Sequence, residues 1–170
     1  MVTSGKEWGK FWRASYVKKY PFSPNPFMFI GEYHHTVDNK GRLAIPIKFR
    51  ASLSEGAVVT RGLDRSLFLY TKKEWEVLAT KLANLPMSQA DTRAFARLML
   101  AGAMEVEVDK TGRINIPEYL RTYAGLSKNA VVAGLYNRLE IWDAATWKMY
   151  AQQTEAQGNN IAERLGGLGV

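Results

Sequence analysis

Asp38-Asn39-Lys40-Gly41-Arg42-Leu43-Ala44-Ile45-Pro46 and Asp109-Lys110-Thr111-Gly112-Arg113-Ile114-Asn115-Ile116-Pro117 are two versions of one pattern, Asp-x-x-Gly-Arg-apolar-x-Ile-Pro. They begin at positions 38 and 109, 71 residues apart, and the match does not stop at the proline. Ala57-Val58-Val59 is echoed by Ala130-Val131-Val132, Gly62-Leu63 by Gly134-Leu135, Leu67-Phe68-Leu69-Tyr70 by Leu139-Glu140-Ile141-Trp142, and Trp75 by Trp147. The offset drifts by a residue or two, as loop insertions make it do. An internal duplication explains this series.

Each copy has a physical reading. Glycine in the fourth position of the turn allows the positive φ that a tight hairpin usually needs. Aspartate in the first position can accept from backbone N–H groups two residues on. Arginine opens the next strand, on which Leu43 and Ile45 share one face, as do Ile114 and Ile116. Proline then suits the first turn of a short helix, predicted over 47–53 and 118–124. A strand pair follows in each copy (57–60 with 66–70, 131–133 with 138–142), and then a longer helix. Trp75, Leu78, Ala79 and Leu82 place the first at 72–85 by their spacing. Further helices are predicted from Asp91 and from Ala144. The units divide as 1–27, an atypical extension; 28–86, the first copy; 87–158, the second with its linking helix; and 159–170, a flexible tail.

The chain has 170 residues, 46% of them hydrophobic, and no cysteine. That length can bury one ordinary core. Disulfides, thiolate metal sites and cysteine nucleophiles are excluded. The net charge of +7 favours a polyanionic partner, nucleic acid first. Five basic residues (Lys6, Lys10, Arg13, Lys18, Lys19) against Glu7 put much of that charge in residues 1–27. Binding by the rest must therefore rest on placement. No apolar run is long enough to span a bilayer. Asp38 and Asp109 stand alone in turns, and no nucleophile motif or phosphate loop is present, so no catalytic residues are assigned and an enzyme is the weaker class. His34 and His35 are the only histidines. As strand neighbours they point to opposite faces and do not chelate one ion. No metal site, cofactor or small-molecule substrate is expected. Trp75, Trp142 and Trp147 fall on positions expected in the core or at a subunit interface.

The Val-Asp-x-x-Gly-Arg-apolar-x-Ile-Pro pattern followed by a short helix resembles the AbrB-like swapped-hairpin DNA-binding fold. Two such units in tandem, the start Met28-Phe29-Ile30-Gly31, and the Glu-Trp and Thr-Trp pairs resemble the MraZ family of transcriptional regulators, over about residues 28–168. The resemblance implies an α+β fold, a pseudo-symmetric duplicated swapped-hairpin (AbrB-like) β-barrel with flanking helices. It implies a cytoplasmic, nucleoid-associated regulator of the bacterial division and cell wall gene cluster. Its partners would be double-stranded promoter DNA, read as short G-rich direct repeats upstream of its own operon, and itself, as a homo-oligomeric ring. The DNA-binding residues carried over are Lys40, Arg42, Lys48, Arg50, Lys110, Arg113 and Arg121. Arginine suits guanine O6 and N7, and lysine suits phosphate. An ion pair within each turn is the competing reading for Arg42 and Arg113, and a solvated helix face for Arg50 and Arg121. In the second copy Tyr119 stands where Lys48 does, with Glu118 before it, pointing to weaker DNA binding or a role in assembly there. An antitoxin or protein-interaction scaffold is the alternative function.

Residues 1–27 depart from that family. Trp8, Trp12, Tyr16 and Tyr20 recur every four residues among basic ones. A basic aromatic helix on a membrane surface is one reading; a start codon placed too far upstream of Met28 is preferred. Trp8-Gly9 requires the bases TGGGG, and Ser4-Gly5 can supply TGGG ten bases earlier, roughly one turn of B-DNA. On this reading the segment's DNA is itself the target site.

Overall fold

The computed structural model describes residues 28–169, so the expectations for 1–27 lie outside the described residues. The strands are β1 (Phe29–Thr36), β2 (Arg42–Ala44), β3 (Ala57–Arg61), β4 (Leu67–Thr71), β5 (Met104–Val106), β6 (Arg113–Asn115), β7 (Asn129–Tyr136) and β8 (Leu139–Asp143). The helices are α1 (Ile47–Arg50, continued by a 3-10 turn, Ala51–Leu53), α2 (Lys72–Ala83), α3 (Ala90–Leu100), α4 (Glu118–Ala124), α5 (Ala144–Ala156) and α6 (Gly158–Leu165).

The strands form an antiparallel six-stranded sheet ordered β1-β7-β8-β4-β3-β5 and a two-stranded ribbon of β2 and β6. Replacing each second-copy strand by its first-copy equivalent makes the sheet order a palindrome. β1 pairs with β7 of the other copy, and β5 pairs with β3. At the centre Phe68 faces Glu140, flanked by Leu67 against Ile141 and Leu69 against Leu139. In the ribbon Leu43 faces Ile114, flanked by Arg42 against Asn115 and Ala44 against Arg113. A pseudo-twofold axis therefore passes through both pairs.

Two expectations are corrected by this topology. The hairpin that each Asp-x-x-Gly-Arg turn suggests forms no ladder: β1 and β2 belong to different sheets, and the first turn is flanked only by an isolated bridge, Val37 with Leu43. The strands leaving the turns ladder with the other copy instead. The expected barrel does not close. β5 is three residues long with Met104 and Glu105 exposed, and it forms the sheet edge opposite β1. The helix boundaries shift slightly: Leu53 closes the first short helix as a 3-10 turn, and α2 ends at Ala83. Residues 158–165, read from sequence mostly as tail, form α6, which buries none of its side chains.

One core serves both copies. Leu43, Ile45, Leu53, Leu67 and Leu69 meet Ile114, Ile116, Leu120, Leu139 and Ile141, all fully buried. Each such side chain contributes roughly 1.5–3 kcal/mol. α1 turns Phe49 inward, where its ring meets Phe29 and Tyr33 edge-on at 5.2 and 5.4 Å. Thr60 Oγ1 donates to the Met99 carbonyl at 2.5 Å, tying α3 to β3. Trp142 is buried, while Trp75 and Trp147 are half-buried beside Tyr70 and Tyr150. No described helix is long and apolar enough to cross a membrane.

Candidate nucleic-acid interface

The ribbon and its two turns form the candidate site. Alternation along β2 and β6 buries Leu43 and Ile114 and leaves Arg42, Ala44, Arg113 and Asn115 on the outer face. Antiparallel pairing places the two arginines on that face one step either side of the axis.

Each turn is wound around its aspartate. Gly41 N–H donates to the Asp38 carbonyl at 2.9 Å, and Gly112 N–H to that of Asp109 at 2.8 Å. Both glycines have φ +79°, as the sequence pattern requires. Asp38 Oδ1 accepts from the N–H of Lys40 (2.9 Å) and of Arg42 (3.0 Å). Asp109 Oδ1 accepts from the N–H of Thr111 (2.8 Å) and Arg113 (3.0 Å), and from the Thr111 hydroxyl at 2.6 Å. The Arg42 N–H bond, helped by its guanidinium, holds Asp38 below the usual carboxylate range. The Thr111 hydroxyl, with Arg113 N–H behind it, holds Asp109 well below it. Both carboxylates are thus charged at neutral pH.

The arginines pair with these carboxylates. Arg42 Nε donates to Asp38 Oδ2 at 2.7 Å. Arg113 is shared: its Nε lies 3.4 Å from Asp109 Oδ2 and its Nη1 3.6 Å from Asp38 Oδ2. Both side chains are about one-third exposed. The competing ion-pair reading is therefore realised, with each side chain still partly exposed. Lys40 and Lys110 stand exposed at the turn tips. Four cations against two carboxylates leave the ribbon face positive.

Arg50 and Arg121 lie elsewhere than on a free helix face. Arg50 Nε donates to the Ile45 carbonyl at 2.8 Å, and Arg121 Nη1 to the Ile116 carbonyl at 2.5 Å. Their guanidinium groups cover the turn glycines of the opposite copy, Arg50 over Gly112 and Arg121 over Gly41. Lys48 is not brought to the ribbon. Its Nζ donates to the Ile30 carbonyl of β1 at 2.9 Å and sits over the Tyr33 and Phe49 rings.

Two further residues join the site without having been expected there. Asn115 is exposed opposite Arg42, and its alternation with Ile114 and Ile116 is the signal that could have found it. Lys128 lines a hollow of about 430 Å³ beside the first turn with Asp38, Asn39 and Arg121. Its carbonyl accepts from Val37 N–H at 2.8 Å, a contact between copies with no sequence signature. His34 pairs with Glu32 at 3.1 Å. Burial and Arg50 hold His35 below its ordinary value. Among the described residues no group of three or more His, Asp or Glu side chains could hold a metal ion.

The duplicated turn with its β2–β6 ribbon spans two adjoining matches. The family model of the MraZ protein, described as antitoxin-like, matches residues 28–98 and again 99–167. The chain belongs to the MraZ family. It is 51% identical over 138 residues to the protein named Transcriptional regulator MraZ from Ligilactobacillus salivarius (strain UCC118), covering 81% of this chain and 96% of that relative. The two MraZ matches meet at 98/99, inside α3, and each contains one Asp-x-x-Gly-Arg turn.

Proposed function

We propose that this MraZ-family protein is a DNA-binding transcriptional regulator that lays its β2–β6 ribbon and both turns on double-stranded DNA. The observation that carries the reading is the placement of Arg42 and Arg113 on one outer face, one step either side of a twofold axis, with Lys40 and Lys110 at the tips. A two-stranded ribbon fits the major groove, and a guanidinium fork matches guanine O6 and N7. Lysines at the tips set register through phosphates. The name of the relative from Ligilactobacillus salivarius supports the regulatory role.

The finer reading follows the same chemistry. The exchange of strands between copies is that of a swapped hairpin, made within one chain. The target is a short G-rich direct repeat upstream of the protein's own operon, in the bacterial division and cell wall gene cluster. The protein acts in the cytoplasm, on the nucleoid. Several copies assemble into a ring, and repeats one helical turn apart present the same groove face to successive subunits. Exposed Met149, Leu165 and Leu168 on the C-terminal helices suit such an assembly.

An electrophoretic shift with the gene's own upstream DNA and a scrambled fragment of equal length tests this. A shift selective for the native fragment at moderate salt is expected. Equal binding of both fragments, or none, overturns the reading.

A further inference from the structure

We propose that Arg50 and Arg121 are crossed positioning residues, each carried by the helix of one copy and fixing the DNA-facing turn of the other. The inference rests on the ribbon being the DNA-binding face. Arg121 follows its own turn glycine, Gly112, by nine residues, and Arg50 follows Gly41 by nine. Yet each crosses the axis. A Cβ built at Gly41 would overlap the Arg121 guanidinium, and one at Gly112 would overlap that of Arg50. The glycines therefore do two jobs: they adopt φ +79°, and they leave a bare backbone on which a flat cation can rest.

The backbone completes a loop of contacts around each arginine. Ile116 N–H donates to the Gly41 carbonyl at 2.9 Å, while the Ile116 carbonyl accepts from Arg121. On the other side Ile45 N–H donates to the Gly112 carbonyl at 2.9 Å, and the Ile45 carbonyl accepts from Arg50. Each arginine thus clamps the strand end that holds the opposite turn. The guanidinium is suited to this because its planar face and in-plane donors act together, and lysine has no equivalent plane. A turn held from beneath presents its lysine and arginine at a fixed height, which strengthens binding through preorganisation. It also couples the copies, since loosening one helix releases the turn of the other.

Salt dependence separates a brace from a DNA-binding cation. Deleting a side chain that neutralises one phosphate reduces the slope of log K against log salt by about 0.9. Arg121→Ala in the full-length protein is expected to weaken binding to the upstream fragment roughly tenfold, the scale of coupled neighbours, with the slope unchanged. Arg121→Lys, which keeps the charge, is not expected to restore affinity. Lys40→Ala, by contrast, lowers the slope. Combined with Lys40→Ala, Arg121→Ala is non-additive and Arg50→Ala additive, because only Arg121 serves the first turn. A reduced slope in Arg121→Ala together with rescue by Arg121→Lys would show that Arg121 binds phosphate and overturn the proposal. Amide NMR of the free protein provides a readout that needs no DNA. Arg121→Met should move the Gly41 resonance more than that of Gly112, and Arg50→Met the reverse. Perturbation confined to the glycine of the same copy refutes the crossing even if wild-type protein binds no DNA, an outcome that would separately end the DNA reading.

Discussion

Leu43 faces Ile114 across the ribbon, and neither side chain has any exposed surface. The pair closes the core directly beneath Arg42 and Arg113. Leu43→Ala or Ile114→Ala should each cost about 2–5 kcal/mol by removing buried volume that the two short strands cannot refill. Urea unfolding measures the loss. Because the strands are shared between copies, one transition is expected for the whole protein, and two separate transitions would contradict a common core.

Arg42 carries the cleaner prediction about base reading. Arg42→Ala should relax discrimination at one guanine by about 1–3 kcal/mol, while Lys40→Ala weakens all sequences alike. Competition titrations with single-base variants of the upstream fragment separate the two effects. Both turns have a bracing arginine, but the first also has Lys128 beside it. Lys40→Ala is therefore expected to cost more affinity than Lys110→Ala.

His35 links stability to mild acid. Its folded value is held below 6.5, first by burial and then by the charges of Arg50 and His34. The unfolded chain takes up a proton there before the folded protein does. Stability is therefore full above about pH 6.5 and declines as pH falls through 6.5 toward the folded value. His35→Gln should flatten that part of the pH profile in thermal melts. In Arg50→Met, an NMR titration should find the His35 value raised.

Asp143 governs a lower window. It caps α5, accepting from the N–H of Ala145 at 3.0 Å and of Thr146 at 3.3 Å, and its other oxygen accepts from the Ser127 hydroxyl at 2.6 Å. Burial alone would raise it, but the Ser127 bonds and these N–H groups outweigh that and hold it below the usual value of 3.8. Its contribution is complete above about pH 4 and disappears as pH falls through the folded value. Asp143→Ala should lower stability by about 1 kcal/mol at pH 7 and leave a shallower acid limb in denaturation curves.

What can be read from the sequence follows from where the information lies. The positive φ of Gly41 and Gly112, the inward faces of Leu43, Ile45, Ile114 and Ile116, and the duplication itself are local or periodic signals, and the structure has them all. Alternation names a strand's face but not its partner, so the pairing of β2 with β6 is not visible in it. The open sheet edge comes from the brevity of β5, where Met104-Glu105-Val106 gives too little pattern to show whether a ladder continues. Gly41 and Arg50 lie nine residues apart in one copy. The contact that forms joins Arg50 to Gly112, and no sequence periodicity encodes a crossing of the axis.

The palindromic strand order has a consequence for severed or halved versions of the chain. A fragment ending in the linker between α2 and α3 would carry β1 without β7, and β3 without β5. It would have the residues of a complete unit and none of its ladders between copies. Two such halves would have to meet as separate molecules, at a concentration-dependent cost that the covalent linker removes. The linker thus turns what would be a bimolecular association into a folding step. It also frees the two halves to drift apart in sequence, as Phe68 and Glu140 on the axis have already done, without losing one another.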